Sequence, residues 1–295
     1  MSIQKHRAAI DKLDAQIVKL LNRRTQHVLG IGKDKLAAGK STYQPDREQA
    51  LLRRIRKLNN GPISNESLGH IYREIMSSSI ALQKTFTIAF LGPEATYTHQ
   101  AAVLRFGTSL GYSPQKTIAE VFAEVEKNRA EYGVVPVENT TEGVVTHTLD
   151  MFVDSPLKIV AQIIMPIEHC LIGKGALKDI RKLYSHPQAY AQCRNWVRET
   201  MPRVEFIGSS STTAAAALAA KSKTAAAISS SLAAEKYQLN ILEAGVQDHS
   251  GNATRFLVLG SVCAASSAND RTSLMFTVND KVGALHEVMG PFRKY

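Results

Sequence analysis

The sequence predicts a multidomain chain: an all-α three-helix module, then a two-lobed α/β module, then the start of a small α+β domain. Three observations predict it. Residues 1–84 carry apolar residues at helical spacing and no strand pattern. Residues 85–262 repeat one order: a short apolar strand, a polar turn, a helix. The charge changes at the same place. Residues 1–84 hold 16 Lys+Arg against 7 Asp+Glu, so nearly all of the net charge of +10 belongs to the helical part.

With 295 residues, 44% of them hydrophobic, the chain can build several cores. No run approaches 18 apolar residues, so no membrane association is expected. The polar start, Met1 to Lys5, lacks a secretory apolar region. Cys170, Cys193 and Cys263 are too few and too scattered for a disulfide framework or a zinc site. A reducing, cytoplasmic location is expected. The basic helical module admits two partners, nucleic acid or small polyanionic metabolites. Its aromatic residues are only Tyr43 and Tyr72, which argues against stacking on single strands.

In the first module, Ile3, Ile10, Leu13, Ile17, Leu20, Leu21, Val28 and Ile31 predict one long helix over 3–38. Pro45, with Asp46 and Glu48 in the first turn, opens a second helix to about Leu58, which Asn59-Asn60-Gly61-Pro62 stops. Ser64 caps a third carrying Leu68, Ile71, Ile75 and Leu82 on one side. Arg7, Arg24 and Lys35 fall on or beside the apolar stripe of the first helix. Either they snorkel at its edge or they face a bound anion. Arg24 and Lys35 lie roughly 16 Å apart along the axis and within about 20° in angle, so long side chains can meet on one ligand. Arg7 is roughly 25 Å from Arg24 and could join them only from a second, antiparallel copy. Arg47 and Glu48 head the second helix, and Ser79 and Gln83 share a face of the third.

His6-Arg7-Ala8-Ala9-Ile10-Asp11, the Arg23-Arg24 pair, Gly32-Lys33-Asp34-Lys35, Asp46-Arg47-Glu48 and Ser79-x-x-x-Gln83 resemble the all-helical chorismate mutases. The resemblance implies rearrangement of chorismate to prephenate in a homodimer joined through the N-terminal helices. It implies that Lys35 and Gln83 donate to the breaking ether oxygen. Arg24, with Arg7 from the other copy, would clamp the two carboxylates, and Glu48 would bind the ring hydroxyl. Arg47 would support Glu48 or bind ligand. Gln44 stands where several members have an aspartate that touches substrate through its backbone.

In the second module, Phe86 to Leu91 reads as a strand, Gly92 to Thr98 as a turn, and a helix follows from about His99. Thr117-x-x-Glu120 caps the next helix. Tyr132 to Val137 is a strand leading to Glu138-Asn139-Thr140-Thr141-Glu142-Gly143 and a helix over 144–152. Leu157 to Pro166 and Cys170-Leu171-Ile172 are strands. Leu183-Tyr184 leads to Ser185-His186-Pro187-Gln188-Ala189-Tyr190 and a helix through Trp196. Val204 to Ile207 leads to Gly208 to Thr213 and an Ala-rich helix. Ala225 to Ile228 leads to a further helix, and Phe256 to Leu259 returns as a strand after Gly251-Asn252-Ala253-Thr254-Arg255. In such sheets ligands sit at the carboxyl ends of the strands, where these hydroxyls, amides and helix N-termini suit carboxylates. The hydroxyl cluster at 209–213 could equally cap a helix, and His147 and His186 could be surface or locally bonded. No side-chain cluster has metal spacing and no Gly-rich dinucleotide turn occurs, so no cofactor is expected.

Gly92-Pro93…Thr96-Tyr97, Val135-Pro136-Val137-Glu138-Asn139-Thr140, Ser185-His186-Pro187-Gln188, Ser211-Thr212-Thr213 and Asn252-Ala253-Thr254-Arg255-Phe256 look like prephenate dehydratase. That resemblance implies two α/β lobes similar to periplasmic solute-binding proteins, one from about 86–165 plus 246–262 and one from about 166–245. It implies conversion of prephenate to phenylpyruvate, with Thr254 as the essential hydroxyl. Arg255 would be a carboxylate anchor or motif stabiliser; Asn139, Thr140, Ser211 and Thr212 would bind substrate.

After a small polar linker at 264–270, Leu274 to Val278 reads as a strand and Asp280 onward as a helix. Gly283-Ala284-Leu285 resembles the start of a regulatory domain of the ACT type that binds phenylalanine. Residues 271–295 are short for one, and Glu-Ser-Arg-Pro is absent, so a truncated domain with weak or absent phenylalanine inhibition is expected, phenylalanine being a regulator only if the full domain exists. The expected protein is a bifunctional enzyme of phenylalanine biosynthesis. Its rivals are a protein with one surviving activity, a solute-sensing module with a helical dimerisation arm, and a duplex-binding protein.

Overall fold

The first helix, α1 (Ile3–Ala37), runs without a break for 35 residues, because its only interruptions, Gly30 and Gly32, are tolerated inside a helix. Helix α2 (Pro45–Leu58) starts at Pro45, where the missing N–H costs nothing, and α3 (Asn65–Ala81) is capped by Ser64, whose hydroxyl accepts from the Ser67 N–H. The computed structural model describes residues 2–37, 45–263, 266 and 270–294, with only the backbone of Leu36, Pro45 and Asp46. Gln44, expected in the first site, lies outside them. Ile10, Leu13, Ile17 and Leu20 form a stripe on α1 that is exposed in the single chain.

The α/β part holds two mixed sheets. The first has strands in the order β2 (Gly111–Gln115), β1 (Thr87–Leu91), β3 (Tyr132–Asn139), β11 (Ala253–Gly260), β5 (Lys158–Pro166), with the short β4 (Gly143–Val144) on β3. The second runs β10 (Asn240–Glu243), β6 (Cys170–Gly173), β9 (Ala225–Ser229), β7 (Lys182–Ser185), β8 (Glu205–Gly208). Helices α4 (Tyr97–Phe106), α5 (Ile118–Glu126) and α6 (Thr146–Asp154) flank the first sheet. Helices α7 (Pro187–Ala191), α8 (Arg194–Thr200), α9 (Thr212–Ala219) and α10 (Ser231–Lys236) accompany the second. Phe90, Ala101 and Phe256 lie in one core layer of the first sheet, and Val121, Phe122 and Leu259 in another. The second sheet is buried by Ile172, Ala216 and Ala227 in one cluster and Leu183, Val197 and Ile228 in another.

The chain passes between the sheets twice, and the two passages touch. The Ile167 N–H donates to the Asn252 carbonyl at 2.8 Å, and the Val246 N–H to the His169 carbonyl at 2.9 Å. Strand β11 then enters antiparallel to both β3 and β5, setting Thr254 opposite Asn139. Gly251, just before it, has φ +109°, a conformation that side-chain-bearing residues rarely adopt.

Several expected elements shift. Helix α4 begins at Tyr97 rather than His99, because Thr96 supplies its cap. The helix expected over 144–152 is the short β4 followed by α6. The helix expected through Trp196 is two, α7 and α8, the second opened by Asp248, whose carboxylate accepts from the Asn195 and Trp196 N–H groups. In the separate unit formed by residues 265–295, the expected strand Leu274–Val278 is not formed, and α11 (Ala284–Lys294) begins four residues after Asp280. Among the described residues no other strand in this unit offers Leu274–Val278 a ladder partner, so the partial α+β domain is not built.

Candidate active sites

The first cluster lies between α1 and α3. Arg24 Nη1 donates to Ser79 Oγ at 3.0 Å, and Ser79 Oγ donates to the Ile75 carbonyl at 2.6 Å. Gln83 folds back to the Ser79 carbonyl at 3.2 Å and lies against Gly32, where a Cβ would sit 2.7 Å from Gln83 Oε1. Arg24, Ser79 and Gln83 thus meet at the α1–α3 seam, and Lys35, half-buried, is one helical turn beyond Gly32. Glu48 on α2 is 8% exposed and ion-paired with Arg105 of α4 at 3.0 Å. Arg47 is exposed, and Arg7 is exposed near the other end of α1, roughly 25 Å from Arg24. A single chain therefore leaves Arg7 out of the cluster.

The second cluster joins the two sheets. Asn139 Nδ2 donates to Thr254 Oγ1 at 2.7 Å and to Asn252 Oδ1 at 2.9 Å, while Asn139 Oδ1 accepts from the Thr141 and Glu142 N–H groups. Asn252 Nδ2 donates to Gln192 Oε1 at 2.9 Å. Gln192 Oε1 also lies 2.8 Å from His169 Nε2, and His169 Nδ1 lies 2.7 Å from the Tyr97 hydroxyl. The directions follow from chemistry. An amide oxygen only accepts, so His169 carries its hydrogen on Nε2. Burial pushes His169 below its ordinary pKa, keeping the ring neutral, so Nδ1 accepts from the Tyr97 O–H, which the Glu168 carbonyl at 3.1 Å shares. Burial pushes the Tyr97 hydroxyl well above its ordinary value, which keeps it protonated. At the other end Thr254 Oγ1 is an acceptor toward Asn139, which leaves its own proton available for a different acceptor.

The remaining expected residues fall outside this network. Thr140 donates to the Gly251 carbonyl at 3.2 Å and accepts from the Ala253 N–H at 3.0 Å, bracing the turn before β11. Arg255 is next to Thr254 on a strand, so it faces the opposite side, where it pairs with Glu138 at 3.0 Å. Of its two expected roles, this geometry suits the motif stabiliser. Ser211 caps α9 by accepting from the Ala214 N–H at 3.0 Å, and the Thr212 carbonyl accepts from Ser229. Among the described residues no hydrogen bond links Ser211 or Thr212 to the Thr254 network. His186 caps α7, and His147 is exposed. Sequence reading missed Gln192 and His169. The available signal for His169 was a lone imidazole between two apolar strands.

Among the described residues, no three His, Cys, Asp or Glu side chains could hold a metal, and no helix is long and apolar enough to cross a membrane.

Two family models match the chain. Residues 6–84 match chorismate mutase type II and residues 88–263 match prephenate dehydratase. The bifunctional chorismate mutase/prephenate dehydratase of Aquifex aeolicus is 43% identical over 294 residues, covering 98% of this chain and 81% of that protein. A prephenate dehydratase from Arthrobacter aurescens, solved in complex with L-Phe, is 30% identical with a TM-score of 0.61, over 70% of this chain and 72% of that one. A structure described as GqqA, a quorum-quenching acylase, is 28% identical with a TM-score of 0.59, over 70% and 77%. With an all-helical region and a two-sheet region each matched by its own model, and a near full-length relative carrying both, the chain belongs to the bifunctional chorismate mutase/prephenate dehydratase family.

Proposed function

We propose a division of labour among the residues of this enzyme, which rearranges chorismate to prephenate and converts prephenate to phenylpyruvate in phenylalanine biosynthesis. Residues 1–84 carry the first step and residues 85–262 the second, in two lobes of about 86–165 plus 246–262 and about 166–245. The first reaction breaks a C–O bond and forms a C–C bond within one molecule. It needs no acid, base or metal, only a held conformer and donors at the ether oxygen where charge develops. Lys35 and Gln83 are those donors. Arg24, steadied by Ser79, binds one carboxylate, and Glu48 accepts from the ring hydroxyl. Arg7 of a second copy completes the clamp. The exposed apolar stripe of α1 is the surface that copy would cover, each Ile or Leu contributing about 1.5–3 kcal/mol on full burial.

In the second reaction the bond to the ring carboxylate breaks with release of carbon dioxide, its electron pair enters the ring, and the ring hydroxyl leaves as hydroxide, which takes its proton from solvent. The observation that carries this assignment is the 2.7 Å bond from Asn139 to Thr254 Oγ1. It occupies the oxygen as an acceptor, so the Thr254 O–H is presented to the leaving hydroxyl. An alcohol is too weak an acid to give up its proton outright; Thr254 stabilises the departing charge by donation. Arg255 holds β11 to β3 through Glu138, with Thr140 bracing the turn; Ser211 and Thr212, at the start of α9, are further substrate-binding residues. The free cysteines fit a reducing, cytoplasmic compartment. Phenylalanine is the candidate regulator, since the Arthrobacter relative was solved with it.

A coupled ultraviolet assay started with chorismate tests the scheme. The unaltered chain is expected to form phenylpyruvate. Lys35→Ala is expected to form it only when prephenate is supplied; formation from chorismate at the unaltered rate would refute the first assignment.

A further inference from the structure

Among the contacts that fasten the α/β part to the helical part, one close junction includes Glu48. Arg105, in the last turn of α4, donates from Nη1 to Glu48 Oε1 at 3.0 Å. The two side chains are 14% and 9% exposed. Around them the contact is close. The Glu74 carboxylate of α3 accepts from both the N–H and the hydroxyl of Thr108, and Ser77 Oγ accepts from the Ser109 N–H at 3.2 Å. Gly107, at φ +82°, has no room for a side chain: a Cβ there would sit 2.5 Å from Ser77 Cβ. Residues 105–109 are therefore held on α2 and α3 from several directions.

We propose that Arg105 is a positioning residue of the mutase, holding Glu48 as an anionic acceptor turned toward the ring hydroxyl of chorismate. The α/β part thus completes the site of the other reaction. The proposal rests on the reading of Glu48 as the hydroxyl-binding group. Its physical basis is desolvation. A carboxylate this far from water is costly without a cation beside it, and one that loses its cation is driven back toward solvent, away from substrate. Arginine suits the task because its charge is permanent and its planar fork restricts the angle of approach.

The test measures mutase and dehydratase kinetics on the full chain for Arg105→Gln, Arg105→Lys, Glu48→Gln and the double variant Glu48→Gln/Arg105→Gln. Arg105→Gln is expected to raise the KM for chorismate roughly tenfold with a smaller change in kcat, as for one partner lost from a buried charge pair. Arg105→Lys should recover part of this. The double variant should be no worse than Glu48→Gln alone, and kcat/KM for prephenate should stay within about twofold. If Arg105→Gln also disables the dehydratase, Arg105→Met, which keeps the packed stem, takes its place with the same expectations. Impaired turnover in Glu48→Gln beside an unchanged KM in Arg105→Gln overturns the proposal alone. So does strict additivity in the double variant. Unaltered turnover in Glu48→Gln overturns the reading of Glu48 and the proposal with it.

Discussion

The two clusters are built by opposite means. The mutase cluster is a set of long charged side chains at a seam between exposed helices, and one expected member, Arg7, is out of reach within the chain. The dehydratase cluster consists of short amides, a phenol, an imidazole and a hydroxyl, tied in series from Tyr97 to Thr254 where two sheets meet. On the proposed assignments, the first gains reach and charge but depends on partners: a second copy and Arg105. The second gains direction, because each amide and ring has its donor side fixed by the next. A clamp for two carboxylates can tolerate adjustable cations; presenting a single O–H cannot.

Separating the clusters by mutation sharpens this contrast, and the largest effect should come from the apolar stripe of α1. Ile17→Glu places a charge on the surface assigned to the second copy. We expect a monomer by analytical ultracentrifugation and a mutase rate lower by about two orders of magnitude, since Arg7 is no longer supplied. Dehydratase turnover should persist. A monomer with full mutase activity would break the comparison, because the helical site would then be complete in one chain.

A smaller loss is expected at the far end of the amide chain. Tyr97→Phe removes the donor to His169 Nδ1 and frees the ring to change tautomer, which would turn a donor into an acceptor toward Gln192. We expect roughly a tenfold lower kcat for prephenate, about one hydrogen bond's worth. Nitrogen NMR of the imidazole should find the hydrogen on Nε2 in the unaltered protein. Finding it on Nδ1 would mean the series does not run from Tyr97 to Thr254.

The mildest effect is in pH. Burial holds His169 and His99 below the ordinary value of 6.5 in the folded chain. As pH falls below about 6.5 the unfolded chain takes up protons that the folded chain refuses, so stability decreases toward acid and is full above that range. Denaturant midpoints at pH 7.5, 6 and 5 should fall in that order, less steeply for His169→Gln. A midpoint that rises on acidification would contradict the neutral imidazole.

How much of this was legible in the sequence follows the same division. The helices announced themselves through Ile10, Ile17 and Ile31, and the cations were visible as intruders on that stripe. The main strands were legible as apolar runs. Strand β2 was not, because Gly111, Ser113, Pro114 and Gln115 make no apolar run; it forms as an edge strand whose partner, β1, supplies the order. The segment Leu274–Val278 shows the converse, a strand pattern with no partner. Motif resemblance pointed to Asn139 and Thr254, yet Gln192 and His169 carry no periodic signal. Their meaning comes from two passages between sheets that are distant in the chain and joined by the bonds from the Ile167 N–H to the Asn252 carbonyl and from the Val246 N–H to the His169 carbonyl. The pairing of Glu48 with Arg105 is hidden for the same reason, since 57 residues separate them.

The central claim is that Asn139 presents the Thr254 proton to prephenate. Comparing Thr254→Val with Thr254→Ser, with chorismate as the starting substrate, tests it most directly. The valine variant should accumulate prephenate at the unaltered mutase rate and form phenylpyruvate about 10²–10³-fold more slowly, as when one charge-stabilising donor is removed. The serine variant, which keeps a hydroxyl for Asn139 to orient, should restore most of the rate. Phenylpyruvate formation by Thr254→Val at the unaltered rate would contradict the account.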